Sequence, residues 1–428
     1  MAGSEARVED AIRRPAEPNR VIANLRELAA LTGGPDGARR VCWSPEWQKA
    51  REWFRGKLSE LPCTVQSDEA GNVWAEIKGQ TSPVVVVGSH IDSVPHGGWL
   101  DGALGVVTAL EILRQWSGSA PPVTLRLVDW ADEEGARFGR SLLGSSAAAG
   151  TLDIEKVRGL RDRDGTALPD ALAACGVELD RMPEAGNRLK DIDAYLELHI
   201  EQGPVLEQMG LSLGAVLGTF GVERHSVRFE GRASHAGSTP MALRHDALLS
   251  AARFALEARD GAIKHGGVAT SGVVSVEPGI VTAIAGVCNV SLDQRALDAG
   301  TLAAMLADAK ASANRIASED GTTVTWEQLW RIEPIPFHTT LVDFARESCC
   351  DVTGTEHSLP SGPLHDAAEM ARLLPTTMMF VSSTNGISHS PLEDTPEEHL
   401  KLAVEAYSRL AAKTINWVYE THAGTSPR

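Results

Sequence analysis

Residues 84–106 read VVVVGSHIDSVPHGGWLDGALGV. Four consecutive valines between Pro83 and Gly88 fit a short strand buried on both faces. The chain then presents His90, Asp92 and Asp101 among glycines, which is not how a buried strand continues. From Ala103 the apolar spacing turns helical (ALGVVTALEILRQW, 103–116), and PVTLRLVDWADEEG (122–135) reads as a second buried strand ending in acids. Strand, helix and strand in this order predict an α/β fold with a mixed, mostly parallel sheet and helices on both faces. In open sheets of this kind, sites form beyond the carboxyl ends of the strands. His90, Asp92, Asp101, Glu133 and Glu134 can therefore converge from separate places in the chain.

Working outward, residues 19–32 and 45–61 carry helical spacing, and CTVQSDEAGNVWAEIK (63–78) reads as two strands around a polar turn. Residues 151–192 are charged and loop-rich. The character changes over 213–333, where HSVRFEGRA, GVVSVEPGIVTAIAG and CNVSLDQRAL alternate like half-exposed strands among helical stretches at about 242–259 and 300–317. From about 335 the pattern returns to helix, strand and helix. With 428 residues the chain exceeds one ordinary core. The expected division is a discontinuous domain, 1–212 with 334–428, that carries these His, Asp and Glu residues, and an inserted α+β domain, 213–333.

A formal net charge of −17 argues against non-specific binding to nucleic acid or an anionic membrane. No apolar run approaches the roughly 20 residues of a membrane span. The start, MAGSEARVEDAIRRPAEP, lacks the apolar core of a signal peptide, so a cytoplasmic placement is expected. Six cysteines without CxxC spacing read as reduced thiols.

On an extended segment His90 and Asp92 share a face. A metal-bound imidazole commonly gives its other N–H to a carboxylate, and Asp92 suits that place. Asp101 follows a Gly97-Gly98 turn, and its two oxygens allow it to bridge two cations. Adjacent glutamates at 133 and 134 resist ionising together, and nearby cations reverse that cost. One can bind metal while the other takes a proton from water. LHIEQGPVLE (198–207) adds His199 and NGISHSPLED (385–394) adds His389. A lone His-x-Asp or Glu-Glu is ordinary on a surface; the joint pattern at strand ends carries the reading. His225, His245, His265, His338 and His357 have no such context and read as structural.

These stretches, with DEEGARFGRSLLGSSAAAG, GRASHAGSTPMALRHDAL, SLDQRALD and SGPLHDA, resemble the dinuclear metal amidohydrolases of the aminoacylase and glutamate-carboxypeptidase type. The branch they resemble most contains N-carbamoyl-L-amino acid amidohydrolases, allantoate amidohydrolases and β-ureidopropionases. The resemblance spans roughly residues 85–395. It implies a zinc-exopeptidase-like fold whose inserted domain is a lid that also forms a homodimer. It implies two divalent metal ions per subunit (Zn²⁺, Mn²⁺ or Co²⁺) held by His90, Asp101, Glu134, His199 and His389, with Asp101 bridging. Glu133 then matches the general base, and Asp92 the acid behind His90. His235 matches a histidine that reaches a neighbouring subunit's active site. Arg295 matches the arginine that grips a substrate carboxylate, and Gln202 a substrate-contacting glutamine.

Two departures bear on the substrate. Thr282 stands where the family has an asparagine, and lacks its amide donors. Ser361-Gly362-Pro363-Leu364-His365-Asp366 replaces the usual Ser-Gly-Ala-Gly-His-Asp, bringing Leu364 into a loop expected, with Ser361 and Gly362, to touch substrate. The implied activity is metal-dependent hydrolysis of a small carboxylate-bearing N-carbamoyl-L-amino acid to the amino acid, carbon dioxide and ammonia. An N-acyl-amino acid or allantoate is the alternative. A binding protein that had retired the chemistry would be expected to lose a ligand or the base, and none is missing.

Overall fold

The computed structural model describes residues 14–423. They form two compact units, one built from the chain up to Leu217 and from Phe337 onward, the other from Gly218–Pro336.

The first unit opens with helices α1 (Pro18–Thr32) and α2 (Pro45–Ser59), each starting on a proline whose missing N–H is one a helix start leaves unbonded anyway. The Ser44 hydroxyl caps α2 by accepting from Trp47 N at 3.2 Å. Next come β1 (Thr64–Ser67), β2 (Val73–Ile77), β3 (Val84–His90), α3 (Ala103–Gln115), β4 (Thr124–Trp130), β5 (Ile192–Ile200) and β6 (Leu213–Thr219). The second unit holds β7 (Gly221–Glu230), α4 (Ala247–His265), β8 (Val268–Thr270), β9 (Val274–Glu277), β10 (Val287–Ala296), α5 (Ala299–Asp320) and β11 (Thr323–Ile332). The chain then returns with α6 (Thr339–Thr353), β12 (Ser358–Ser361), β13 (Thr376–Val381) and α7 (Glu397–Ala423).

The sheet of the first unit runs β6-β13-β5-β3-β4-β2-β1, with β12 beside β6. Its centre, β13-β5-β3-β4, is parallel, and β6, β2 and β1 join antiparallel. All seven residues of β3 are buried, as the valine run requires of a strand covered on both faces. Each buried valine side chain contributes about 1.5–3 kcal/mol over an exposed one. Gly88 is demanded by packing, because a Cβ there would run into the Val128 carbonyl on β4.

The second unit is an antiparallel sheet, β8-β10-β7-β11, with β9 also on β10. Burial alternates along the whole of β10. Its inward Cys288, Val290 and Leu292 pack with Val227 and Phe229 of β7, Phe254 of α4 and Ile316 of α5. The helix expected from about 242 begins at Ala247 instead. The Asp246 side chain caps it by accepting from Leu248 N and Leu249 N, and it continues to His265, where Gly266 turns left-handed at φ 71°. Leu213–Leu217, read from sequence as part of the insert, belong to the first unit, because their strand pairs with β13.

All six cysteines are free thiols. Among the described residues no helix is long and apolar enough to cross a membrane.

Candidate metal centre

His90 is the last residue of β3, His199 lies near the end of β5, and Asp132-Glu133-Glu134 follow β4. Asp101 immediately precedes α3, whose cap, Gly102, has φ 62°. A side chain at Gly102 would collide with the His90 imidazole, so glycine serves both the turn and the close approach.

Two groups of three possible ligands share Asp101. His90, Asp101 and His199 form one, and Asp101, Glu134 and His389 the other, with the ligand atoms of each within 4.8 Å of one another. Asp101 Oδ1 lies 3.1 Å from His199 Nε2 and 3.8 Å from His90 Nε2, while Oδ2 lies 3.3 Å from His389 Nε2. Glu134 Oε2 is 3.2 Å from His389 Nε2. Glu133 belongs to neither group, and its Oε2 stands 3.7 Å from His90 Nε2.

Asp92 lies behind His90, its carboxylate 3.5 Å and its carbonyl 3.2 Å from Nδ1. The same carboxylate accepts from Glu133 N at 3.3 Å and Glu134 N at 3.2 Å, so it orients the imidazole and both glutamates. Gln202 Nε2 donates to Asp101 Oδ2 at 2.9 Å. Asp132, Gln202 and His389 all have positive φ (59°, 57° and 52°), backbone that non-glycine residues rarely adopt and that surrounding structure must enforce.

The electrostatics ask for positive charge. Burial alone would lower His90, yet Glu133, Asp92 and Asp101 hold it well above an ordinary imidazole. Hydrogen bonds to Asp101 and Glu134 push His389 up to about 11. Burial raises Glu133, and the neighbouring Asp366, Glu134 and Asp92 add to it; burial and Asp101 raise Glu134. Burial would raise Asp101 too, but the three imidazoles hold it well below the carboxylate range.

The residues fit a pair of divalent cations. His90 Nε2 is buried without a hydrogen-bond partner, and its other nitrogen is occupied by Asp92, so Nε2 is the nitrogen turned towards the acids and open to a cation. Imidazole and carboxylate donors without thiolate suit Zn²⁺, Mn²⁺ or Co²⁺. Each group supplies three protein ligands, the number that leaves a position open for chemistry.

Elsewhere in the first unit, the Ser361 hydroxyl donates to the Pro363 carbonyl at 2.8 Å, Gly362 is exposed and Leu364 half-buried. The remaining expected residues lie in the second unit. His235 is exposed, and its Nδ1 accepts from Gly237 N at 3.1 Å and Ser238 N at 3.2 Å. Those two bonds place its proton on Nε2, making that nitrogen a donor. His235 pairs with Ala283 across a short ladder, and the Thr282 carbonyl accepts from Ala236 N at 2.8 Å. Arg295, on β10, donates through Nε to Asp293 at 2.9 Å.

Several residues of the cluster carried no sequence argument. Glu197 is fully buried and accepts from Ser89 Oγ at 2.7 Å, Ala367 N at 3.0 Å and Tyr195 OH at 3.2 Å. It fastens β3, β5 and the short helix Asp366–Met370 beside His199. Its place two residues before His199 on a strand was the available signal. His365, whose ring centroid is 4.4 Å from that of His199, completes a third possible ligand group with Glu197 and His199. The three donors already on Glu197 make that group a support for His199. Glu393 accepts from Leu100 N at 3.1 Å and Asp101 N at 3.0 Å, tying the His389 loop to Asp101.

Residues 86–413 match the model of peptidase family M20/M25/M40. The chain is 33% identical over 406 residues to an N-carbamoyl-L-amino-acid amidohydrolase of Paenarthrobacter aurescens, covering 92% of this chain and 97% of that one. It is 34% identical over 366 residues to an allantoate amidohydrolase of Escherichia coli, covering 84% and 88%. A solved structure of a hydantoinase/carbamoylase family amidase from Burkholderia multivorans superposes with a TM-score of 0.82 at 32% identity, covering 93% of this chain and 98% of that one.

Proposed function

This chain belongs to peptidase family M20/M25/M40, and from that premise we propose that it cleaves the carbamoyl group from an N-carbamoyl-L-amino acid. It is a hydrolase of C–N amide or ureido bonds. Water and the N-carbamoyl compound give the free amino acid and carbamic acid, which decomposes to carbon dioxide and ammonia. The observation that carries the reading is the pair of three-ligand groups sharing Asp101, with Glu133 beside them and outside both.

His90, Asp101 and His199 are assigned to one cation, and Asp101, Glu134 and His389 to the other. When bound, such a pair polarises the scissile carbonyl and makes water more acidic. Glu133 Oε2 accepts the proton of the attacking water and returns it to the leaving nitrogen. Asp92 keeps the His90 ring and the Glu133 backbone in place. His235, with its proton on Nε2, is the donor for the developing oxyanion, a contact worth about 2.7–4 kcal/mol in hydrolases generally. Arg295 offers a planar fork that matches a carboxylate bidentately. Gln202, Thr282, Ser361, Gly362 and Leu364 are assigned to the substrate. The second unit is assigned as lid and dimer-forming domain.

Thr282 and Leu364 favour a second reading, in which an N-acyl-amino acid is split on the same centre; allantoate is favoured less, because its extra ureido group wants polar partners where these two residues stand. The test is ammonia release by purified protein loaded with Mn²⁺ from a panel of N-carbamoyl-L-amino acids, with a chelator-treated control. Metal-dependent ammonia is expected. None from any member, with a carboxylic acid released from N-acyl substrates, transfers the assignment to acyl cleavage.

A further inference from the structure

Among the described residues of the first unit, Arg40 is the least exposed Lys or Arg. It is 0% exposed, and both its Nη atoms are buried without a hydrogen-bond partner. Its Nε donates at 2.8 Å to the carbonyl of Ile91, the residue between His90 and Asp92. Its backbone N donates to Ser93 Oγ at 3.1 Å, and Ser93 N donates to its carbonyl at 3.1 Å. Ala38 N donates to Gly97 O at 2.8 Å, so residues 38–40 lie as a strap along the loop that carries Asp92 towards Asp101. An unpaired buried guanidinium is costly unless surrounding charge compensates it. Burial pulls Arg40 below an ordinary arginine, and the carboxylates opposing that pull are Glu393, Asp92, Asp101 and Glu134. Three of these four belong to the centre, and the fourth holds Asp101 N.

We propose that Arg40 is the resident countercharge of the acid-rich centre, a positioning residue that keeps the loop from His90 to Asp101 assembled while no cation is bound. It touches neither substrate nor reacting atoms. Its positive charge offsets the repulsion among Asp92, Asp101, Glu134 and Glu393, and its Nε–H fixes the peptide between His90 and Asp92. A protein that must await its metals needs such a charge more before loading than after. The metal-loaded limb of the inference rests on the reading under Proposed function; the metal-free limb does not.

The experiment is thermal unfolding of the full chain, stripped by chelator or saturated with Mn²⁺, for wild type, Arg40→Met, Arg40→Lys and the double variant Arg40→Met/Glu393→Gln. Arg40→Met is expected to lower Tm more in the stripped protein than in the loaded one, by roughly 4 °C or more. Arg40→Lys, which keeps the charge, should retain most of the stripped Tm. The double variant, which removes one repelling acid, should recover part of what Arg40→Met loses. Equal losses with and without Mn²⁺ overturn the proposal, because a packing role is blind to the cation. So does a lysine variant as unstable as the methionine one. If Arg40→Met does not fold, recovery of folding in the double variant supports the proposal, and no recovery together with an unstable lysine variant overturns it. A wild type whose Tm ignores Mn²⁺ strikes the metal reading instead, and the stripped comparison still decides on Arg40.

Discussion

Glu133 and Glu134 are chemically identical neighbours, and their surroundings give them different work. Glu134 faces His389 at 3.2 Å and accepts from Val94 N at 3.3 Å, which suits it to the ligand place proposed for it. Glu133 Oε2 faces the unpartnered Nε2 of His90 at 3.7 Å, with the acids Asp366, Glu134 and Asp92 around it. Glu133→Gln preserves shape and the bond from its backbone N to Asp92 but removes the basic oxygen. Its expected effect is a fall in kcat of about 10²–10⁴ with unchanged metal content, read by ammonia release beside elemental analysis. A loss under tenfold ends the assignment of Glu133 as base. At this scale the sequence is informative where spacing alone puts groups together: His90 with Asp92, or the Glu-Glu pair after a strand. It is silent where support arrives from a distant segment. Glu393 reaches Asp101 across 292 positions and Glu197 reaches Ala367 across 170; no local pattern marks Glu393 as buried, and for Glu197 the local signal is its place two residues before His199.

Elements were legible in proportion to how far burial alone decides them. β3 and β4 are short apolar runs between breakers, and they stand where the runs stand. The start of α4 is decided by a capping carboxylate, Asp246, which competes with an apolar spacing that begins earlier. β7 carries a consequence of burial that spacing does not display. His225 read as structural, and it is so: 3% exposed, with no hydrogen bond on either ring nitrogen and its ring edge-on to Trp326 at 5.5 Å. Burial lowers its pKa, helped by Lys310 on α5 and opposed by Glu223, which lies 3.5 Å away and also 3.7 Å from Arg331 on β11. A histidine lowered in the folded state binds fewer protons than the unfolded chain does. Stability is therefore retained above the ordinary value near 6.5 and lost as pH falls below it towards the lowered value. The expected outcome is that wild type loses more urea midpoint than His225→Phe between pH 7.5 and 5.5. Parallel losses exclude His225 as the source.

For the whole molecule, the change from buried runs to alternating strands was visible, but where one unit yields to the other depends on pairing. Leu213–Leu217 could be placed only once β6 was seen to pair with β13. The second unit also has a surface that its own core does not explain. On α4, Leu249, Leu256 and Ile263 recur every seven residues at 52%, 56% and 70% exposure. Val268 and Val274, on strands that pair only with β10, are exposed by 49% and 54%. A stripe at that spacing fits the same stripe on a second copy, since a two-fold interface uses one patch twice. Contiguous exposed apolar surface of this kind is characteristic of association sites. The dimer proposed for this unit accordingly predicts a wild-type mass in sedimentation equilibrium of twice the 45.6 kDa chain. Leu256→Glu/Ile263→Glu should give a folded monomer, because a symmetric contact would place four buried carboxylates where four apolar side chains met. If oxyanion support comes from His235 of the other copy, that monomer should also lose kcat while keeping its metal. A wild type that sediments as a monomer removes the dimer, and with it any role for His235 across subunits; a charged variant that remains dimeric moves the interface away from α4.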